Sequence, residues 1–149
     1  MSDPRVCIII LHLDSQAALL ACLRSCRAIQ YKNYEIVIVE NGSRVALDLE
    51  VLRDCAGRTP IVIHSPVNLG FSGGNNLGIK AALAQGADYV LLLNDDTEVA
   101  PELLTVLVQA GEKHDHVGAL GPTVYYFDDP KRIWFAGARF DARTCQVVA

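Results

Sequence analysis

Asp95 and Asp96 follow the apolar run Tyr89-Val90-Leu91-Leu92-Leu93 and one polar residue, Asn94. A buried strand that ends in adjacent acids concentrates negative charge at the carboxyl edge of a sheet. Open α/β sheets bind their ligands at that edge. Such carboxylates suit a hard divalent cation, Mg²⁺ or Mn²⁺, which takes oxygen ligands and completes its shell with substrate phosphates and water. Successive side chains of a strand point to opposite faces. The spacing therefore predicts that Asp96 faces a metal while Asp95 turns toward a sugar hydroxyl. The competing reading is a plain turn, with Asp96-Thr97 starting the bend toward Pro101.

Other apolar runs end in polar groups as well. His12 and Asp14 follow residues 6–11, Glu40 and Asn41 follow residues 34–39, and a segment rich in Gly and Asn follows residues 61–64. In a parallel sheet all of these ends lie along one edge and share one crevice. Any one of them alone is an ordinary turn residue or helix cap; their coincidence is what points to a ligand. The segment Asn68-Leu69-Gly70-Phe71-Ser72-Gly73-Gly74-Asn75-Asn76-Leu77-Gly78 permits close backbone approach and precedes a helix whose free N–H groups attract anions. It lacks the GxxxxGK[ST] phosphate loop, and its place after the third strand and its glycine spacing argue against a dinucleotide fingerprint.

The elements that must position these residues alternate. After the strand at 6–11, Asp14-Ser15 is placed to cap a helix carrying Ala18, Leu19, Cys22, Leu23 and Cys26 at helical spacing. A strand at 34–39 ends in the turn cluster Glu40-Asn41-Gly42-Ser43, and a short helix spans 47–55. A third strand at 61–64 leads to a loop over 65–76 and a helix over 77–85, which Gly86 stops before the strand at 89–93. Pro101 fits the first turn of another helix, with Glu98 and Glu102 near its positive end. Residues 117–120, 124–127 and 133–135 read as further strands. The fold class is α/β: a mostly parallel sheet with helices on both faces, in one domain over 1–149.

Composition bounds the function. The chain has 149 residues, 51% hydrophobic and 20% charged, enough for one sizeable core. Its apolar runs are shorter than the ~20 residues a membrane helix needs, so no transmembrane segment is expected. Met1-Ser2-Asp3-Pro4 lacks the pattern of a signal peptide. A net charge of −4 argues against nucleic acid as a partner. Cys7, Cys22, Cys26, Cys55 and Cys145 show no CxxC pairing, which predicts reduced thiols and a cytoplasmic location.

Taken in order, the strand–helix unit from Val6, the segment Val39-Glu40-Asn41-Gly42-Ser43, the Gly/Asn segment and Leu91-Leu92-Leu93-Asn94-Asp95-Asp96 resemble family 2 glycosyltransferases. The likeness is to the rhamnosyltransferase-type branch that builds bacterial surface polysaccharides. Gly118-Ala119-Leu120-Gly121-Pro122 and Ile133-Trp134-Phe135-Ala136-Gly137 also match that branch. The resemblance implies a GT-A fold and a nucleotide diphosphate sugar held across the carboxyl edge with a divalent metal on its diphosphate. By the same likeness Glu40, beside Asn41, reads the base or ribose, and Asp95, after Asn94, lies near the ribose or donor sugar. Asp96 is then the metal ligand of a DxD-like motif. Leu11, His12 and Asp14 pack around the base, and Gly73, Gly74 and Asn76 help close the pocket.

The chain also departs from the branch. His12-Leu13-Asp14 stands where Asn-Tyr-Asn is usual, which removes an aromatic wall, and Glu40 replaces the commoner Asp. The resemblance further implies an inverting transfer to a saccharide or lipid-linked acceptor. The acceptor half and its catalytic base are expected beyond residue 149, so this chain is read as the donor-binding part and no catalytic residue is nominated. The alternatives are a non-catalytic nucleotide-sugar-binding fragment and a scaffold domain. An exposed ribbon over 133–140 is a candidate homodimer surface.

Overall fold

The computed structural model describes residues 3–114, 116–141, 143, 144 and 146–148, so the cysteine expected to be reduced at Cys145 lies outside the described residues. The chain divides into two compact units, Met1–Thr105 and Val106–Ala149.

The first unit is built on four parallel strands, β1 (Val6–His12), β2 (Tyr34–Asn41), β3 (Ile61–Ser65) and β4 (Tyr89–Asn94), in the order β3-β2-β1-β4. The centres of the inner pair, residues 6–11 and 36–39, are continuous apolar runs because both of their faces are covered. Cys7, Ile9, Val37 and Val39 pack on one face against Ala82 and Leu77 of α3 (Gly70–Ala84). Ile8, Ile10, Ile36 and Ile38 alternate with them and point the other way. On that side α1 (Gln16–Arg27) buries Leu19, Cys22, Leu23 and Cys26, and α2 (Leu49–Ala56) buries Leu52 and Ala56. Helices thus cover both faces, as the alternating pattern requires. Asp48 caps α2 by accepting from the Glu50 and Val51 amides, and Gly57 ends it in the left-handed conformation.

Two boundaries differ from the sequence expectation. Helix α3 begins at Gly70, inside the stretch read as a loop up to 76. Gly and Asn are poor helix formers, but here tertiary packing overrides propensity. Gly74, Asn75, Gly78 and Ala82 form a buried stripe of mostly small side chains that lets the helix press against the sheet. An added Cβ at Gly78 would lie 2.5 Å from Ile9 Cγ2. Pro101 and Glu102 form a turn ahead of α4 (Leu103–Glu112) rather than its first helical turn, with the Leu103 amide bonded to the Ala100 carbonyl.

In the second unit, residues 117–120 are not a strand; the Val117 amide closes a turn onto the His114 carbonyl. β5 (Val124–Tyr125) pairs antiparallel with β6 (Ile133–Phe135), and β7 (Arg139–Asp141) pairs with β8 (Gln146–Val148). β5 stops short of the expected 127 because the pairing is irregular at Val124/Tyr125. The Arg132 guanidinium stacks 3.8 Å over the Tyr126 ring.

Candidate functional site at the carboxyl edge

Strand register sorts the edge residues onto two faces. His12 is level with Glu40, Glu40 with His64, and Leu11 with Asn94. Residues level with one another in a parallel sheet share a face. His64, Glu40, His12 and Asp95 therefore form a row of alternating imidazoles and carboxylates on the α1/α2 side. Leu11, Asn41 and Asn94 fall on the α3 side.

Within the row the groups pair. His12 Nδ1 lies 2.8 Å from Asp95 Oδ2, and the His12 side chain is 2% exposed against 19% for Asp95. His64 Nδ1 abuts Glu40 Oε2, an ion-pair contact without hydrogen-bond alignment. Glu40 Oε2 is thus a buried oxygen with no hydrogen bond among the described residues. Burying a carboxylate without a partner is costly, and the adjacent His64 imidazole is the partner at this oxygen. Asp96 is exposed, and among the described residues no hydrogen bond or ion pair engages it.

The turn that carries the acids is pinned to α1. Cys22 Sγ donates to the Asn94 carbonyl at 3.7 Å, the Val99 amide donates to Ser25 Oγ at 3.0 Å, and the Gln30 amide donates to the Pro101 carbonyl at 2.9 Å. A hydrogen bond with Cys26, burial and the nearby Asp95 and Asp96 charges all raise the Cys22 pKa, holding it as a protonated donor. Cys7, Cys22 and Cys26 are free and buried, and Cys55 is free and partly exposed.

The α3 side is organised by Asn41. Its Oδ1 accepts from the Leu69 amide at 2.9 Å, and its Nδ2 donates to Asn68 Oδ1 at 3.1 Å and to the Gly70 carbonyl at 3.3 Å. Asn68 Oδ1 also accepts from the Gly70 amide at 2.8 Å. These bonds satisfy amides at the start of α3, where an unaided Gly/Asn helix would fray. Gly42, at φ 83, lets the chain pass against the Asn68 backbone, which leaves no room for a side chain. Gly74 is buried against Leu11 and Asn41, whereas Gly73 is partly exposed and Asn76 exposed.

Asp14 adopts φ 59, a left-handed conformation that Asp tolerates better than most residues. Its Oδ1 accepts from the Arg44 amide at 2.9 Å, and its amide donates to Ser43 Oγ at 3.2 Å. Ser15 stands at the helix start without a side-chain capping bond, so the expected cap is spent instead on joining two loops. His64 on β3 and Ser25 on α1 are residues that sequence reasoning did not single out. His64 carried a signal, since it ends the third strand level with Glu40.

Among the described residues no group of three or more His, Cys, Asp and Glu could hold a metal. Asp96 supplies one open carboxylate, within the one or two that Mg²⁺ takes when phosphates and waters complete its shell. The residues present fit such an ion in company with a diphosphate.

The sequence profile described as glycosyl transferase family 2 matches residues 7–146. The chain belongs to glycosyl transferase family 2. An uncharacterised protein of Sinorhizobium fredii, y4gI, is 36% identical over 139 residues, covering 90% of this chain and 14% of that protein. The galactofuranosyltransferase GlfT1 of Mycobacterium tuberculosis is 42% identical over 88 residues, covering 56% of this chain and 29% of its own length. The chain therefore spans less than a third of the curated relatives it matches. The S. aureus TarS 1–349 structure in complex with UDP-GlcNAc superimposes with a TM-score of 0.63 at 19% identity, over 74% of this chain and 32% of that one. That likeness supports the GT-A fold of this family member.

Proposed function

We propose that this family 2 chain binds a nucleotide diphosphate sugar across its carboxyl edge and serves as the donor-binding part of a glycosyltransferase. The observation that carries this reading is the uneven commitment of the edge acids. Asp95 is held by His12 and the buried Glu40 is faced by His64, while Asp96 is open. Glu40 and Asp95 lie two strand spacings apart, roughly 10 Å, a span suited to a nucleoside at one end and a diphosphate at the other. The names of the relatives support the same reading: a galactofuranosyltransferase, and TarS solved with UDP and with UDP-GlcNAc.

In this reading Glu40 accepts from the base or ribose, and the strand end from Leu11 to Asp14 forms the floor beneath the nucleoside. Asp95 turns its outer face to a ribose or donor-sugar hydroxyl, with Asn94 beside it. Asp96 is the metal ligand of the DxD-like motif. A bound Mn²⁺ or Mg²⁺ would supply positive charge against which a departing diphosphate is stabilised. The turn after β3, held by Asn41 and continued through Gly73 and Asn76, borders the pocket, while Gly74 keeps its helix close to β1. The transfer itself is read as an inverting displacement at the anomeric carbon by a saccharide or lipid-linked hydroxyl. The base that takes the acceptor proton is assigned to no residue of this chain.

No helix among the described residues is long and apolar enough to cross a membrane, and a cytoplasmic location belongs to the proposal. So does a homodimer through β6, where Ile133 and Trp134 are exposed. Calorimetric titration of the chain with UDP, GDP and dTDP, with and without Mn²⁺, tests the reading. Metal-dependent binding of one nucleotide is expected, and no binding of any of them overturns it.

A further inference from the structure

We infer that His12 is a positioning residue, which fixes the Asp95 carboxylate for the ribose and leaves metal binding to Asp96. This rests on the reading of the edge as a nucleotide diphosphate site and goes beyond it, since it removes His12 from the nucleotide-contacting set. The His12 side chain is 2% exposed and offers a ligand no surface. A carboxylate only accepts, so the ring donates from Nδ1 to Asp95 Oδ2 across 2.8 Å. That bond occupies one oxygen and leaves the other, on the partly exposed side of Asp95, for a hydroxyl.

Both ends of the bond stand on rigid ground. His12 is the last ladder residue of β1, paired with Glu40 of β2, and Leu11 is level with Asn94, which sets Asp95 alongside His12. The acid turn is held to α1 by the Asn94–Cys22 and Val99–Ser25 bonds. With both backbones fixed, the side-chain torsions of Asp95 are the remaining freedom, and His12 removes it. Asp96, next in sequence, has no such restraint. Ordering a contact group before the ligand arrives lowers the entropy cost of binding.

The test compares the full chain with His12→Leu, which fills similar volume without a donor, His12→Asn, which keeps a donor, Asp95→Asn, and the His12→Leu/Asp95→Asn double variant. Affinities for UDP with Mn²⁺ and for pyrophosphate with Mn²⁺ are measured by calorimetry, alongside ligand-free melting. His12→Leu is expected to weaken UDP about tenfold and to leave pyrophosphate unchanged. His12→Asn should retain most of the UDP affinity. In the Asp95→Asn background, His12→Leu should cost nothing further.

An unchanged UDP affinity in His12→Leu overturns the inference while the nucleotide site stands. So does an equal loss for pyrophosphate, or an undiminished loss in the Asp95→Asn background. If His12→Leu fails to fold, a large UDP loss in the folded His12→Asn variant overturns it. A wild-type chain that binds neither probe overturns the nucleotide reading itself, and this inference with it.

Discussion

Gly74 lies so close to Leu11 that an added Cβ would overlap Leu11 Cδ1, with Asn41 Cγ only 3.3 Å away on another side. The residue next to the site thus owes its identity to the seating of α3 on β1. Gly74→Ala is expected to destabilise the chain by about 1 kcal/mol, overpacking outweighing the ~1 kcal/mol that Ala gains over Gly inside a helix. Gly118→Ala, where nothing lies within 4 Å of the added Cβ, should change stability by less than about 0.5 kcal/mol. Urea denaturation midpoints of the two variants check this; equal midpoints would show that α3 can shift without cost.

Asp96→Ala should separate binding from stability. Its carboxylate has no hydrogen bond or ion pair among the described residues, so its removal leaves the ligand-free melting temperature nearly unchanged. Mn²⁺-dependent nucleotide affinity should fall by about a hundredfold or more, the order expected when a charged ligand group is lost. Calorimetry with and without Mn²⁺ measures the difference, and an undiminished metal dependence would remove Asp96 from the metal role.

Asn41→Ala cuts three side-chain bonds and strands the Leu69 amide at the start of α3. A loss of about 1–3 kcal/mol is expected. It should come with faster hydrogen exchange at Leu69 and Gly70, read by mass spectrometry. A stable variant with unchanged exchange would mean that the helix start holds itself.

Cys7 gives a pH dependence. Burial, with a smaller contribution from the Glu35 charge, pushes its pKa from the ordinary 9.0 up to about 11. Between those values an unfolded chain has released the Cys7 proton and the folded chain has kept it. Rising pH therefore favours unfolding, by at most about 1.4 kcal/mol per pH unit from this thiol. Below pH 9 its contribution is fully retained. Denaturation at pH 8 and pH 10.5 should show a steeper fall for wild type than for Cys7→Ala, and parallel falls would dismiss the thiol as the cause.

The strands and the acids at their ends were legible because parallel strands are written as largely apolar runs, and 6–11, 36–39 and 89–93 are such runs, although β4 is an outer strand with Leu92 exposed rather than the buried strand expected. The start of α3 was not. Its residues are poor helix formers, and tertiary contacts account for their being helical: Gly74 and Gly78 against Leu11 and Ile9, and Asn41 bonded to the Leu69 amide. The pairing of His12 with Asp95 depends on β4 lying beside β1 at the register Leu11↔Asn94. Period-two alternation supplies the faces, but the neighbouring of strands distant in sequence is tertiary information. Asp14 reads as a helix cap for the same reason: the Arg44 amide that takes its carboxylate lies in another loop.

That last bond has a consequence for the time scale of the rim. Asp14 ties the turn after β1 to the loop after β2, and Asn41 ties the end of β2 to the turn after β3. Three surface loops, which by exposure alone would exchange their amide hydrogens almost at once, are linked in series by side chains rather than by a sheet ladder. The amides of Arg44 and Leu69 should therefore exchange together and slowly, on the clock of the strands beneath them. The three loops at the carboxyl edge should then move as one body.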